Sequence, residues 1–300
     1  MKKWVFGFVV VLLLIGYGAA QHKPKVVIAE LPKVVIEEPS KVNHPVQGGT
    51  PQKNGHTIAV TKAQIYKGDL LLVNKEHPIP SGGEESEEAS LSRHGELVQG
   101  FALLDNSIRL SPSLVKKFAT MIGAAANDGV NHFIISSGYR DEEKQDELYQ
   151  QMGPDYALPA GYSEHNLGLS LDIGSSIAEM NRAPEGKWLK NNAWSYGFIL
   201  RYPVDKTAIT GIQFEPWHFR YVGLPHSLIM QAKNMVLEEY LDYLKKKKTI
   251  TATVNHQTYE IHYYPVSNNT TITVPENGRY EISGNNTDGV IVTVLRDQDA

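Results

Sequence analysis

An α+β domain followed by a smaller all-β region is the architecture the sequence predicts, and three patterns predict it. Leu114, Val115, Phe118, Ile122 and Ala125 recur at helical spacing, the apolar stripe of a helix with one buried face. Leu169, Leu171 and Ile173 alternate with Ser170 and Asp172, the period-two signature of a half-buried strand. From Thr249 to Leu295, β-branched and aromatic residues alternate in ITATV, TYEIHYY, TTITV and GVIVTV, which suggests about four short strands.

Taken in order, the chain opens with Lys2 and Lys3 before an uncharged apolar run, Trp4–Ala20. At ~1.5 Å per residue this run sits near the lower limit for crossing a ~30 Å bilayer core. Its positive flank predicts that everything downstream lies outside. Residues 1–22 therefore read as a membrane anchor, or as a signal peptide cut near Gly18-Ala19-Ala20. Residues 23–65 carry the near-duplicates Pro24–Ile28 and Pro32–Ile36, both PKVVI. Proline every few residues prevents a helix, so an extended linker is expected.

A folded domain is expected over 66–247. Asp69–Asn74 (DLLLVN) reads as a buried strand that opens it, and Glu84–Glu88 (EESEE) as a solvated loop. Ser111-Pro112 starts a helix with a hydroxyl cap and proline in the first turn, ending near Gly129. His132–Ser136 is a strand, Asp141–Met152 a helix, and the stretches around Pro184–Ser195 and Pro225–Lys246 are helical. Lys245–Lys248 closes the last helix, where positive charge suits the end of the macrodipole. Residues 248–300 form the β-rich region, with hairpin turns at Asn268-Asn269 and Asn285-Asn286.

Composition narrows the chemistry. With 41% hydrophobic and 21% charged residues, 300 residues suffice for an ordinary globular core. A net charge of −4 gives no reason to propose nucleic acid as a partner. Cysteine is absent, so disulfides and thiolate metal sites are excluded, and an exported chain without them fits a bacterial envelope. A transition metal must then use His, Asp or Glu, which points to a hard or borderline ion such as zinc.

Gly161–Gly174 (GYSEHNLGLSLDIG) offers His165 and Asp172 on either side of Gly168, half a metal site. Glu215-Pro216-Trp217-His218 supplies the rest. His165, Asp172 and His218 give two imidazoles and a carboxylate, a total charge of +1 with zinc, and Glu215 is the carboxylate available as a general base. Strict strand alternation would put residues 215 and 218 on opposite faces, so a break at Pro216 is expected. Singly, His218 beside Trp217 reads more readily as a packed histidine, and Asp172 as a capping carboxylate. Together, S-x-H-x-x-G-x-x-x-D followed by E-x-W-H is far more specific.

Ser137–Arg140 (SGYR), Ser163–Asp172 (SEHNLGLSLD) and Glu215–His218 (EPWH) resemble the motifs of the zinc D-alanyl-D-alanine metallopeptidases. The resemblance is to the VanY-type D,D-carboxypeptidases, and it continues through YALPAGYSEHN, APEGKW, YGFILRYP, EPWHFRYVGLPH and LEEYLDYLK into RYEISGNN. It implies a small antiparallel sheet flanked by helices and carrying a zinc cleft, a fold shared with lysostaphin-type peptidases and the hedgehog signalling domain. It implies one Zn2+ per chain held by His165, Asp172 and His218, Glu215 as base, and Arg140 polarising the scissile carbonyl. Ser163 and Gln145 fall where relatives contact substrate, and Ser170 stands where the family often has Ala. The implied partners are peptidoglycan stem peptides ending in D-Ala-D-Ala, with a role in glycopeptide resistance. An L,D-carboxypeptidase, an L-Ala–D-Glu endopeptidase and a non-catalytic wall-binding module are the competing readings.

Overall fold

The computed structural model describes residues 32–38, 55–80, 88–154, 156–276 and 278–296. Residues 1–22 and most of Glu84–Glu88 lie outside them. Among the described residues, no helix is long and apolar enough to cross a membrane.

The architecture is α+β. In chain order come β1 (Val34–Glu37), β2 (Gly55–Val60), β3 (Ala89–Ser90), β4 (Ala102–Leu103) and β5 (Arg109–Leu110). Then follow α1 (Pro112–Asn127), β6 (Phe133–Ser137), α2 (Glu142–Met152), β7 (Ser170–Ser175) and α3 (Pro184–Asn192). β8 (Phe198–Leu200), the single turn α4 (Thr207–Thr210), β9 (His218–Tyr221), α5 (His226–Lys233) and α6 (Leu237–Lys247) lead to the β-rich end. That end holds β10 (Thr249–Val254), β11 (Gln257–Pro265), β12 (Thr270–Pro275), β13 (Tyr280–Gly284) and β14 (Gly289–Leu295).

Local chemistry accounts for the helix boundaries. The Ser111 hydroxyl accepts from the Leu114 N–H at 3.2 Å and Pro112 follows it, as the cap pattern predicts. Asp141 caps α2 through the Lys144 N–H at 2.9 Å. The helical stretch expected over Pro225–Lys246 is broken in two, because Asn234 (φ 51°) takes the left-handed conformation and ends α5.

One sheet has the order β4-β6-β7-β9-β8, antiparallel except for the parallel edge pair β4–β6. Leu171 and Ile173 of β7 and Phe219 of β9 point into a core with Leu114, Phe118 and Ile122 of α1 and Leu189 of α3. Alternation therefore sends Asp172 and His218 to the other face, and the register sets these two directly opposite each other. That face is not the open one expected for Ser170 and Asp172: Ser170 is fully buried, and its hydroxyl has no hydrogen-bond partner.

The second sheet, β1-β10-β11-β14-β13, packs Ile250, Ala252, Ile261 and Ile291 against Ile229 of α5 and Leu237 and Leu244 of α6. The ribbon β2–β12 covers its other side through Val60, Ile272, Val274 and Val292. Two expectations are corrected here. Parts of the stretch 23–65 read as linker are strands: β1 pairs with β10 and β2 with β12. Spaced prolines exclude a helix but are compatible with an edge strand. The buried stretch at Asp69–Asn74 is not a strand, because side chains take its backbone groups. The Leu70 N–H donates to Ser283 Oγ at 2.8 Å, and the Asp69 and Leu71 carbonyls each accept from Arg220 at 2.9 Å.

His226, buried between α6 and β14, links the two layers: Tyr240 Oη lies 2.8 Å from its Nδ1 and Thr293 Oγ1 3.0 Å from its Nε2. Burial pushes this imidazole down to about 3. Between its unfolded value near 6.5 and 3, the unfolded chain binds a proton that the folded chain refuses. Stability should therefore fall as pH drops through that window, by up to about 5 kcal/mol, with no further loss from this group below it. Urea midpoints from pH 7 to 3 should fall less steeply in His226→Gln than in the native chain, and parallel curves would exclude this role.

Candidate metal centre

Ser163 opens a short 3-10 helix, Glu164–Leu167, by accepting from the His165 N–H at 3.3 Å. Gly168 (φ 70°) ends it in the left-handed region, which turns the chain into β7 and sets His165 over Asp172. His218 starts β9. The turn at Pro216-Trp217, closed by the His218 N–H to the Glu215 carbonyl at 3.3 Å, places the Glu215 carboxylate 3.8 Å from His218 Nδ1. Residues 215 and 218 thus share one cleft.

His165 Nε2, His218 Nδ1 and Asp172 Oδ1 form a nearly equilateral triangle with sides of 3.3, 3.1 and 3.3 Å. A tetrahedral ion with arms of about 2.0 Å, the usual zinc–nitrogen and zinc–oxygen distance, needs donor separations of about 3.3 Å. The three donors fit zinc and leave the fourth direction toward the cleft. The remaining imidazole nitrogens fix both tautomers. His165 Nδ1 donates to the Gly138 carbonyl at 2.6 Å, and His218 Nε2 faces Glu164 Oε2 at 3.4 Å. Gly138 has no room for a side chain, since a Cβ would lie 2.3 Å from the Arg109 carbonyl oxygen.

Glu164 belongs to a buried ionic network. Its Oε1 accepts from Arg201 Nε and Arg220 Nη1, each at 2.8 Å, which leaves Oε2 for His218. Arg201 in turn makes two hydrogen bonds to Glu238 of α6, at 2.9 and 2.7 Å. Burial opposes the charge on Glu164, but the two guanidinium groups hold its carboxyl far below the usual carboxylate range. Burial likewise disfavours a charged His218, yet Asp172 and Glu164 hold its imidazole up to about 9. The carboxylates that retain this proton equally favour a divalent cation in its place. Burial, with Arg140 beside it, lowers His165 to about 4, and burial raises Glu215 to about 7.

Arg140 Nη2 donates to Asp172 Oδ2 at 2.7 Å, Nε to Ser137 Oγ at 2.9 Å and Nη1 to Gln145 Oε1 at 3.2 Å. These bonds leave two of the five guanidinium N–H groups for a ligand. Gln145 sits behind Arg140, and its amide also donates to the Leu158 carbonyl at 2.6 Å, so both amide ends are already engaged. Ser163 keeps a hydroxyl proton to donate. The cavity in front of the triangle has a volume of about 180 Å³, with Met152, Tyr156, Tyr202 and Trp217 among its walls. A larger cleft of about 560 Å³, lined by Lys75, His77 and Glu238, holds no comparable donor set.

The structure brings all seven residues expected from sequence to this cavity. It adds Tyr202 to the cavity wall, its ring 4.9 Å from that of His218, and Glu164, Arg201 and Arg220 behind His218. Of these, only Arg220 had a readable signal, two positions after His218 and hence on the same strand face.

A family model described as VanY: D-alanyl-D-alanine carboxypeptidase matches residues 107–224. A D-alanyl-D-alanine carboxypeptidase of Enterococcus faecium is 54% identical over 295 residues, covering 98% of this chain and 97% of that protein. One from Enterococcus faecalis is 36% identical over 211 residues, 64% of this chain and 72% of that protein. Among solved structures, the vancomycin resistance D,D-dipeptidase VanXYg in complex with a D-Ala-D-Ala phosphinate analog is 31% identical. It aligns with a TM-score of 0.71, over 81% of this chain and 99% of that one.

Proposed function

The chain belongs to the VanY family of D-alanyl-D-alanine carboxypeptidases, and from that premise we propose that it is a zinc-dependent enzyme removing the terminal D-Ala of peptidoglycan pentapeptide precursors. The observation that carries the zinc dependence is the triangle of His165 Nε2, His218 Nδ1 and Asp172 Oδ1, with sides matching a tetrahedral ion.

Zinc, when bound, supplies Lewis-acid activation of water and of the scissile carbonyl. Glu215, next to His218 but outside the donor triangle, takes a proton from the attacking water and returns it to the leaving amine of D-Ala. Burial suits it to both duties by raising its carboxyl to about 7, close to the working pH. Arg140, anchored by Ser137, Gln145 and Asp172, directs its remaining N–H groups at the carbonyl oxygen as negative charge develops there. Ser163 donates to the bound peptide. The phosphinate held by the related dipeptidase is tetrahedral at phosphorus, the shape a carbonyl takes after water adds, which supports direct attack without an acyl-enzyme.

Loss of the terminal D-Ala removes the dipeptide end that glycopeptides bind, so the activity contributes to glycopeptide resistance. Lys2 and Lys3 before the apolar run Trp4–Ala20 support a location at the outer face of a bacterial membrane.

Chelation followed by readdition of zinc tests the assignment. Pentapeptide turnover should vanish with the metal and return at one zinc per chain. Activity that survives chelation would remove zinc from the proposal. Turnover of tetrapeptide alone would reassign the enzyme as an L,D-carboxypeptidase.

A further inference from the structure

The carboxamide of Asn166 closes a ring of hydrogen bonds around Arg140. At one end of the ring, Arg140 Nη1 donates to Gln145 Oε1 at 3.2 Å, and Gln145 Nε2 donates to the Leu158 carbonyl at 2.6 Å. At the other end, Asn166 Nδ2 donates to the Arg140 carbonyl at 2.7 Å, while Asn166 Oδ1 accepts from the Gly161 N–H at 3.2 Å. Leu158 leads directly into the turn Pro159–Tyr162, closed by the Tyr162 N–H to the Pro159 carbonyl at 3.0 Å. Gly161 (φ 78°) stands at its third position, where a type II turn requires a positive φ. The far side of the turn is tied as well, since the Ile79 N–H donates to the Gly161 carbonyl at 2.7 Å.

The two partners dictate the side chain between them. A carbonyl needs a donor and an N–H needs an acceptor, so residue 166 must present both at once. Asparagine does so, whereas aspartate has no donor. Arg140 lies in the connection between β6 and α2, outside any ladder or helix, with its N–H held by the His165 carbonyl at 3.2 Å. The bond from Asn166 fixes the other side of its backbone.

We propose that Asn166 is a positioning residue for Arg140, fixing its backbone to the same turn that its guanidinium reaches through Gln145. The consequence for catalysis rests on the role proposed above for Arg140 at the scissile carbonyl. The turn directly follows Tyr156, Ala157 and Leu158, which wall the cavity, so the ring holds that wall and the guanidinium in one register. A displacement of about 1 Å in such a group costs about 100-fold in rate.

Two substitutions in the zinc-loaded, full-length chain test this. N166A removes both amide bonds, whereas N166D keeps the acceptor for Gly161 and removes only the donor to Arg140. Both should lower kcat for pentapeptide by about 10–100-fold, with KM within about twofold and one zinc per chain retained. In an R140A background N166D should cost no more than about twofold, because the effect it acts through is already lost. Hydrogen exchange at Arg140 Nε, followed by 15N NMR and assigned by loss of the signal in R140K, should quicken about tenfold in N166D. Native exchange in N166D would overturn the proposal. So would native kcat in N166D beside an impaired N166A, which would reduce Asn166 to a support of the turn. An N166D effect of equal size in R140A would overturn it too, since Asn166 would then act without Arg140. If the native chain fails to turn over pentapeptide while N166D still quickens the Arg140 exchange, the positioning stands and only the activity reading falls.

Discussion

Glutamine in place of Glu215 is expected to lower kcat for D-Ala release by about a thousandfold, within the range for loss of a general acid–base group. Metal binding should be unchanged, because Glu215 lies 3.8 Å from His218 Nδ1 and outside the triangle of His165, Asp172 and His218. Glutamine keeps the shape and removes only the ability to accept the proton, so KM should move little. Single-turnover kinetics with zinc stoichiometry on the same preparation checks this. Full kcat in Glu215→Gln would assign the proton transfer to another group, and loss of zinc would make Glu215 part of the metal site.

Alanine in place of Glu164 is expected to have the largest effect on the folded state, although Glu164 touches neither the proposed metal nor the substrate. It would leave Arg201 and Arg220 buried without the carboxylate they share, and breaking a buried pair costs about 3–5 kcal/mol. It also removes the acceptor facing His218 Nε2, which should weaken zinc affinity by about 10–100-fold. Glu164→Gln keeps an acceptor oxygen and should fall between the native chain and Glu164→Ala in both measures. Urea denaturation of the metal-free chain separates the first effect from the second, which competition against a chromogenic chelator reads directly. A Glu164→Ala chain with native zinc affinity would show that the His218 tautomer is set without it.

These two residues mark the boundary of what was legible. Glu215 could be found from sequence because the role proposed for it follows from residue type and from proximity to His218 in E-P-W-H. The difficulty posed by alternation is met by the turn at Pro216-Trp217, which delivers both side chains to one side. Glu164 sits beside His165 in the same motif and could not be read, because its role depends on Arg201 and Arg220, both distant in sequence. Gln145 shows the converse. The resemblance put it in contact with substrate, whereas in the structure it lines the cavity with its amide already engaged by Arg140 and the Leu158 carbonyl. The expected strand at Asp69–Asn74 failed for a related reason: Ser283 and Arg220 take backbone groups that a ladder would have used.

By itself the sequence determined which chemistry is available and which faces are buried. The absence of cysteine limited metal donors to His, Asp and Glu, and the periods of α1 and β7 chose the sides that meet the core. Those properties are local, set by residue type and by the repeats of backbone geometry. Tertiary structure alone decided the 3.1–3.3 Å donor spacing, the sharing of Glu164 between two arginines and a histidine, and the docking of β1 on β10. Each joins groups far apart in the chain. Burial makes an unpaired charge or an unfilled edge costly, and only the packed chain settles which distant partner meets that cost.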